Sequence, residues 1–265
     1  MNRLPPSPSP RIAAPTATRA TFTAAIALLM ALAGCGGGGD SAGAPAQRTS
    51  VTAVDSITLQ SGACAPGQAL SDCREDYWPH PERAYANFIG SATDGAYVVL
   101  FNAGRSGDSC TAQEVYSLGP FLGEPRGLVG RLQTSVPNVK PQAVSVLIGI
   151  NDVNDCGVSV AQTTQCIVQA WNTLHAAGVQ VIAMTYPPLS PTTHAWPLPD
   201  GVAAQNALAL NQAVRTAWAD WSATHEGGRL ADSANAWAAS AVDAMTVDGV
   251  HPTPAGALEI AKTWR

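Results

Sequence analysis

The stretch Val144–Ile148 (VSVLI), followed by Gly149-Ile150-Asn151-Asp152, decides the fold of this chain. The first part is a nearly continuous apolar run of strand length, without the alternation of apolar and polar residues that a half-exposed strand shows. Such a run is typical of a strand covered on both faces by helices. The glycine and the two polar residues after it predict that this buried strand carries polar side chains to one edge of a sheet.

Similar runs recur along the chain and alternate with helical stretches. The other predicted strands are Val51–Val54, Tyr97–Phe101, Val179–Thr185 and, more weakly, Gly228–Ala231. The predicted helices are Glu82–Ser91, Gly127–Ser135, Ser159–Ala177, Val202–Thr224 and Pro254–Thr263. This alternation predicts an α/β fold of three α/β/α layers, flavodoxin-like, with a mostly parallel sheet of about five strands.

The first residues predict export. In residues 1–34 several arginines precede Thr21–Ala33, an uncharged stretch shorter than the roughly 20 residues that span a bilayer. Leu32-Ala33-Gly34-Cys35 resembles a bacterial lipobox, which implies a lipid on Cys35, whereas an ordinary secretory signal with a coincidental cysteine is the alternative. Residues 35–49 are rich in Gly, Ala and Ser and predict a flexible tether. Residues 50–265 are expected to form one domain.

This organisation predicts a lipid-anchored protein of the bacterial cell envelope, at the outer membrane if the host has one. The formal net charge is −5, and the 14 Lys and Arg residues form no basic run. Nucleic acid is therefore excluded as a partner. A monomer is favoured, although the sequence does not determine the oligomeric state.

If Cys35 carries lipid, five cysteines remain, and export favours disulfides between them. The pairs close in sequence, Cys64–Cys73 and Cys156–Cys166, are the expected disulfides. Cys110 is then left over, and spacing alone leaves other pairings open. Zinc is the alternative, but no C-x-x-C occurs and no histidine adjoins a cysteine. We therefore expect no metal and no cofactor.

Asp248-Gly249-Val250-His251 places a carboxylate three residues before an imidazole. Such a carboxylate can fix the tautomer of the ring and stabilise its protonated form. The pair matters for catalysis only if a nucleophile lies near it. Ser56 is the candidate, because Val54-Asp55-Ser56 closes the first apolar run. A serine at the end of a strand also commonly caps the next helix, which is the structural alternative for this residue.

Two further polar blocks follow predicted strands: Asn102–Asp108 (NAGRSGD) and Gly149–Asp152 (GIND). Because the carboxyl ends of parallel strands meet at one edge, Ser56, Gly107 and Asn151 should lie together. Each block also has a structural interpretation, namely a turn glycine or an Asx turn. Four blocks in this order, each behind a strand or at the end of the chain, favour a functional site.

The four blocks resemble those of the SGNH (GDSL-type) hydrolase superfamily over essentially the whole of residues 50–265. The resemblance implies that Ser56 is the nucleophile, His251 the base and Asp248 its orienting partner. It also implies an oxyanion hole of the Ser56 and Gly107 backbone N–H groups and the Asn151 amide. The expected activity is carboxylic ester hydrolysis through an acyl-enzyme, with an acylated glycan, a lysophospholipid or a short-chain ester as substrate.

Val54 stands where the family has glycine, and a β-branched residue is costly there if its φ is positive. This residue is the one feature that favours the alternative function, a non-catalytic surface lipoprotein that binds glycan or lipid with the same fold. The Pro-rich segment from Tyr186 to Pro199, with His194 and Trp196, follows the fourth strand. It could shape an acyl or sugar pocket or be a rigid surface loop.

Overall fold

The computed structural model describes residues 47–54, 84–105, 107–111, 127–193 and 195–265. In this part of the chain one sheet contains five strands, all parallel, in the order β2-β1-β3-β4-β5. The strands are β1 Arg48–Val54, β2 Tyr97–Asn102, β3 Ala143–Leu147, β4 Gln180–Met184 and β5 Arg229–Ala231. The flavodoxin-like parallel sheet and each of its predicted strands are confirmed.

The central strands are buried because helices cover both faces. Every residue of β3 is buried, including Ser145, whose hydroxyl lies 3.2 Å from the hydroxyl of Tyr85. A hydroxyl in an apolar layer is costly without a partner, so this contact makes the one polar residue of the run compatible with a two-sided strand.

The helices fall into two groups on the two sides of the sheet. They are α1 Ile89–Ala92, α2 Leu128–Val139, α3 Ile150–Asn154, α4 Val160–Ala176, α5 Val202–Ser222, α6 Val242–Met245 and α7 Pro254–Lys262. Helix α4 packs against α2 and α5, whereas α7 packs against α1, α6 and the 3₁₀ turn Tyr85–Phe88. No helix in the described ranges is long and apolar enough to cross a membrane.

The ends of α4 follow from local sequence. Ser159 accepts a hydrogen bond from the Gln162 N–H while the Gln162 side chain accepts one from the Ser159 N–H, which is a capping box. After the last turn, Gly178 adopts a φ of +72° and its N–H bonds the carbonyl of His175. A glycine takes this left-handed conformation without steric cost, so the chain leaves the helix directly into β4.

The expected disulfide between Cys156 and Cys166 is wrong, because Cys166 is bonded to Cys110, with an S–S distance of 2.08 Å. Cys166 lies within α4, half-buried, whereas Cys156 is exposed after the end of α3. The partner of Cys166 is set by the loop that packs on α4, not by nearness in sequence. Cys64 and Cys73 lie outside the described residues.

Strand β1 continues to Val54, which pairs with Leu147 of β3. Val54 is therefore an extended strand residue, a conformation that β-branched side chains favour. The absence of the family's glycine at this position carries no backbone penalty.

Candidate active site

The segment from Thr246 to Pro252 is a tight turn that positions Asp248 and His251. The ends of the segment are joined by an antiparallel bridge, and the Val247 N–H donates to the His251 carbonyl at 2.8 Å. Gly249, with a φ of +85°, lies so close to the next loop that an added Cβ would come within 2.6 Å of the Ser190 Cβ.

Asp248 and His251 form the pair that their spacing predicts. The Asp248 Oδ2 lies 2.6 Å from the His251 Nδ1, and Oδ1 accepts the backbone N–H groups of Val250 and His251 at 2.9 and 2.7 Å. Burial raises the pKa of the Asp248 carboxyl. The charge of His251 and these hydrogen bonds outweigh that effect, so the pKa lies below its usual value.

Asn151 lies in the first turn of α3, directly beyond β3, and is 6% exposed. Its Nδ2 donates to the Asp108 carbonyl at 2.8 Å, and its Oδ1 accepts the indole N–H of Trp196 at 3.2 Å. The helix can start so abruptly because Gly149 takes a φ of +117° against Thr163, where an added Cβ would come within 2.6 Å.

Gly107 belongs to the loop that follows β2, next to the carbonyl that Asn151 bonds. Its φ is +64°, which a glycine adopts readily, and an added Cβ would meet nothing within 4 Å. The loop is fixed through Asp108, a fully buried carboxylate that forms an ion pair with Arg131 and accepts the Gly127 N–H at 3.1 Å.

Asp152 also fixes this loop, from the other side. Its fully buried carboxylate accepts the backbone N–H groups of Cys110 and Thr111 at 2.7 and 2.8 Å. Adjacent residues of one block therefore differ in role: Asn151 presents an amide toward the loop, and Asp152 anchors it.

Hydrogen bonds connect the segments that carry the predicted site residues, as far as the structure describes them. Asn151 contacts the loop of Gly107 directly, and it reaches the turn of Asp248 and His251 through the loop after β4. In that loop the Ser190 N–H donates to the Gly249 carbonyl at 2.8 Å. Gly107 and Asn151 follow the carboxyl ends of β2 and β3, as predicted, whereas Asp248 and His251 lie beyond the short helix Val242–Met245 near the end of the chain. Ser56, Cys35 and His194 lie outside the described residues.

Other features of this edge were not predicted. The bond from Trp196 to Asn151, the anchoring by Asp152 and the Cys110–Cys166 disulfide are contacts between distant segments. The sequence patterns indicated Asn151 and the Pro-rich segment that contains Trp196, but they predicted neither the contact between them nor a role for Asp152. Among the described residues, no three His, Cys, Asp or Glu side chains are grouped as a metal site.

Fold and site together define the class: a flavodoxin-like α/β protein with an Asp–His pair and a buried amide at the carboxyl edge of its sheet. The chain belongs to the GDSL-like lipase/acylhydrolase (SGNH) family, whose model matches residues 55–258. This match includes Ser56, Gly107, Asn151, Asp248 and His251.

Solved structures similar to the chain include esterases. An aryl esterase of M. smegmatis has a TM-score of 0.62 at 14% identity, covering 82% of this chain and 96% of that one. Est24, a carbohydrate acetylesterase from Sinorhizobium meliloti, has a TM-score of 0.62 at 12% identity, covering 82% of this chain and 96% of that one. The acetyl xylan esterase AlAXEase has a TM-score of 0.52 at 16% identity, covering 82% of this chain and 97% of that one. At these identities the likeness shows a shared fold. No curated protein sequence matches the chain.

Proposed function

We propose that the chain is a serine carboxylic ester hydrolase in which Ser56, His251 and Asp248 carry out the reaction. The observation that carries the proposal is the Asp248–His251 pair, at 2.6 Å, in a family of acylhydrolases. A carboxylate on Nδ1 leaves Nε2 as the ring nitrogen that exchanges protons with the nucleophile and the leaving group.

The reaction proceeds in two steps. The Ser56 hydroxyl oxygen attacks the ester carbonyl carbon and its proton passes to His251, which then gives a proton to the departing alcohol. Water then loses a proton to His251 and attacks the acyl carbon. The bond between this carbon and the Ser56 oxygen breaks, the Ser56 oxygen takes the proton back from His251, and the acid is released. In both steps the oxyanion accepts hydrogen bonds from the Ser56 and Gly107 N–H groups and the Asn151 amide.

Chain order supports a role for Ser56 at this edge of the sheet. In sequence it follows Val54, the last residue of β1, by two positions. Strand β1 lies between β2 and β3, and these strands lead directly to Gly107 and Asn151. Val54 is paired with Leu147 in the sheet, so its backbone gives no support to the alternative of a non-catalytic binding module.

The substrate class we propose is a carboxylic ester with a small acyl group. The acetylesterase and aryl esterase names of the similar structures support including acetylated sugars and aryl acetates among the candidates. We also propose that a lipid on Cys35 and the tether at 35–49 hold residues 50–265 at a bacterial membrane, so that the ester is hydrolysed in the cell envelope.

The decisive test measures turnover of p-nitrophenyl acetate, p-nitrophenyl butyrate and acetylated xylo-oligosaccharides by the wild type and by two variants. Ser56→Ala and His251→Ala should each abolish nearly all turnover, because nucleophile and base act as a unit. Ser222→Ala and His225→Ala, which change the same residue types near the end of α5, are the matched controls and should keep full activity. Full turnover in Ser56→Ala would contradict the proposal, and a folded wild type without turnover on any ester would favour the binding module.

A further inference from the structure

The carboxamide of Asn151 is held from two sides. Its nitrogen donates one hydrogen to the Asp108 carbonyl at 2.8 Å, and its oxygen accepts the Trp196 indole N–H at 3.2 Å. Rotating the amide by half a turn would place two donors together at Trp196 and two acceptors together at Asp108. The two contacts therefore favour the same orientation, although the terminal torsion of asparagine is otherwise broad and roughly twofold.

An amide nitrogen has a second hydrogen, and this hydrogen is the one an oxyanion would accept. With one N–H committed to Asp108 and the oxygen committed to Trp196, the direction of the second N–H is fixed. Preorganised donors stabilise a transition state because they need no reorganisation when charge develops. Trp196 is only 8% exposed, so water has little access to replace the hydrogen bond of its indole.

Trp196 is itself anchored to the turn of Asp248. The Thr193 hydroxyl donates to the Asp248 carbonyl at 3.3 Å and accepts the Ala195 N–H at 3.3 Å. On the other side, the Trp196 carbonyl accepts a hydrogen bond from the Leu198 N–H at 2.8 Å. A hydrogen-bonded path thus leads from the backbone of the Asp–His turn to the residue that orients Asn151.

We propose that Trp196 is a positioning residue that orients the Asn151 carboxamide, so that its second N–H is directed at the oxyanion of the reacting ester. This inference rests on the proposed function and goes beyond it, because it gives the Pro-rich loop after β4 a role in the acceleration of the reaction. Trp196 acts through Asn151 and not on the substrate, and it thereby couples the two halves of the site.

The first test removes the indole N–H with Trp196→Phe. Losing one orienting hydrogen bond of ordinary strength should lower kcat by about tenfold and leave KM little changed. The fall should not be larger, because the Asp108 carbonyl still restrains the amide. The matched control is Trp237→Phe. Trp237 is 7% exposed and its indole N–H has no partner among the described residues, so the same change there should leave kcat unaltered.

The second test separates positioning from a general loss of structure. In an Asn151→Ala background, Trp196→Phe should cause no further fall in kcat, because the residue through which it acts is gone. A purely structural role would lower kcat in both backgrounds and would overturn the inference. Equal kcat for Trp196→Phe and the wild type would also overturn it, while leaving the proposed esterase activity intact.

A third readout does not depend on turnover. The indole N–H resonance of Trp196, assigned by its loss in Trp196→Phe, should shift and exchange faster with solvent in Asn151→Ala, whereas the Trp237 resonance should not change. An unchanged Trp196 resonance would show that the contact is absent from the protein in solution. If the wild type hydrolysed no ester, the proposed function would fail, and with it the role in orienting an oxyanion donor.

Discussion

At the scale of single residues, the adjacent pair Asn151 and Asp152 shows how one sequence block serves two purposes. Both side chains are buried, at 6% and 0% exposed. The Asp152 carboxylate oxygens accept hydrogen bonds from backbone N–H groups of the loop that contains Cys110. The Asn151 amide donates one hydrogen to the Asp108 carbonyl and has a second hydrogen that can be donated elsewhere. Asp152 therefore suits a structural role, because its carboxylate anchors the loop. Asn151 suits a catalytic role, because its amide can donate a further hydrogen bond.

Asn151→Ala should lower kcat by about 10²–10³ and leave KM nearly unchanged, because an oxyanion donor acts mainly in the transition state. The measurement is steady-state hydrolysis of p-nitrophenyl acetate. Asn172→Ala is the control, since the Asn172 side chain bonds the indole of Trp221, on α5. A rise in KM alone in Asn151→Ala would contradict the oxyanion assignment.

The lowered pKa of Asp248 makes a second prediction, about stability in acid. Its folded pKa lies below the unfolded value of about 3.9, so ionised Asp248 stabilises the fold above that value, and this contribution is lost as pH falls through the folded pKa. Asp248→Asn should therefore be less stable than the wild type at about pH 6, and the difference should shrink toward about pH 2. Chemical denaturation at both pH values measures it.

The wild type and Asp248→Asn share Asp232, whose pKa is also lowered: burial raises it, but the hydrogen bonds and charge of Arg215 outweigh this. Comparing the two proteins removes this common contribution. A stability difference that grew as pH fell would contradict the sign of the Asp248 effect. Asp248→Asn should also hydrolyse esters slowly, because the imidazole remains but in a poorer tautomer.

Residue-level contacts could be predicted only where they are local. Asp248 and His251 are three positions apart, so a single turn brings them together and the spacing was informative. The bond from Trp196 to Asn151 joins residues 45 positions apart, and its existence depends on the path of the loop after β4. A Pro-rich segment predicts a loop, but its composition does not determine where a side chain on it points.

At the scale of elements, the strands and longer helices were predicted because each carries its own pattern of apolar residues. The short helices α3 and α6 were not, since four or five residues show too little of a helical period. Helix α3 exists because Gly149 permits an immediate start and the Ile150 N–H bonds the Tyr186 hydroxyl at 3.1 Å. The first cause is local to Gly149, whereas the second is a contact between residues 36 positions apart.

The Cys110–Cys166 disulfide joins the loop of Gly107 to α4, so its loss should affect both stability and activity. Removing a cross-link across 56 positions costs up to about 4 kcal/mol by the loop-closure estimate. The double variant Cys110→Ser/Cys166→Ser should lose stability of this order in denaturant unfolding. It should also lose kcat, because the loop that carries Gly107 and accepts the Asn151 bond is less constrained.

A reductant supplies the control for this prediction. Reductant should lower the free energy of unfolding of the wild type toward that of the double variant. If reductant also lowers the free energy of unfolding of the double variant, that further loss measures the contribution of other disulfides. Equal stability of the wild type and the double variant in oxidising buffer would show that this bridge contributes nothing to the folded state.

At the scale of the whole molecule, the matched family region, residues 55–258, covers β2 to β5 and the described site residues and ends within α7. The compact unit that contains the sheet and the site begins at Pro45, and β1 begins at Arg48, so the last two residues of the predicted tether at 35–49 belong to this strand. The proposed tether, rich in Gly, Ala and Ser, is predicted to act as a flexible linker that takes no part in the site. Attachment at Cys35 should therefore change where the enzyme works without changing its chemistry.

The tethering proposal predicts that the full-length protein in a bacterial host incorporates labelled fatty acid and sediments with membranes. Stable anchoring needs two acyl chains, because one chain binds a bilayer only reversibly, and diacylation of Cys35 would supply both. Cys35→Ser should lose the label and the sedimentation while its extract keeps the same turnover per molecule on p-nitrophenyl acetate. Because Gly36 follows the cysteine, we expect the wild type in the outer membrane of a host that has one. Equal labelling of the two proteins would place the anchor elsewhere, and loss of turnover in Cys35→Ser would show that the first residues contribute to the site as well as to its location.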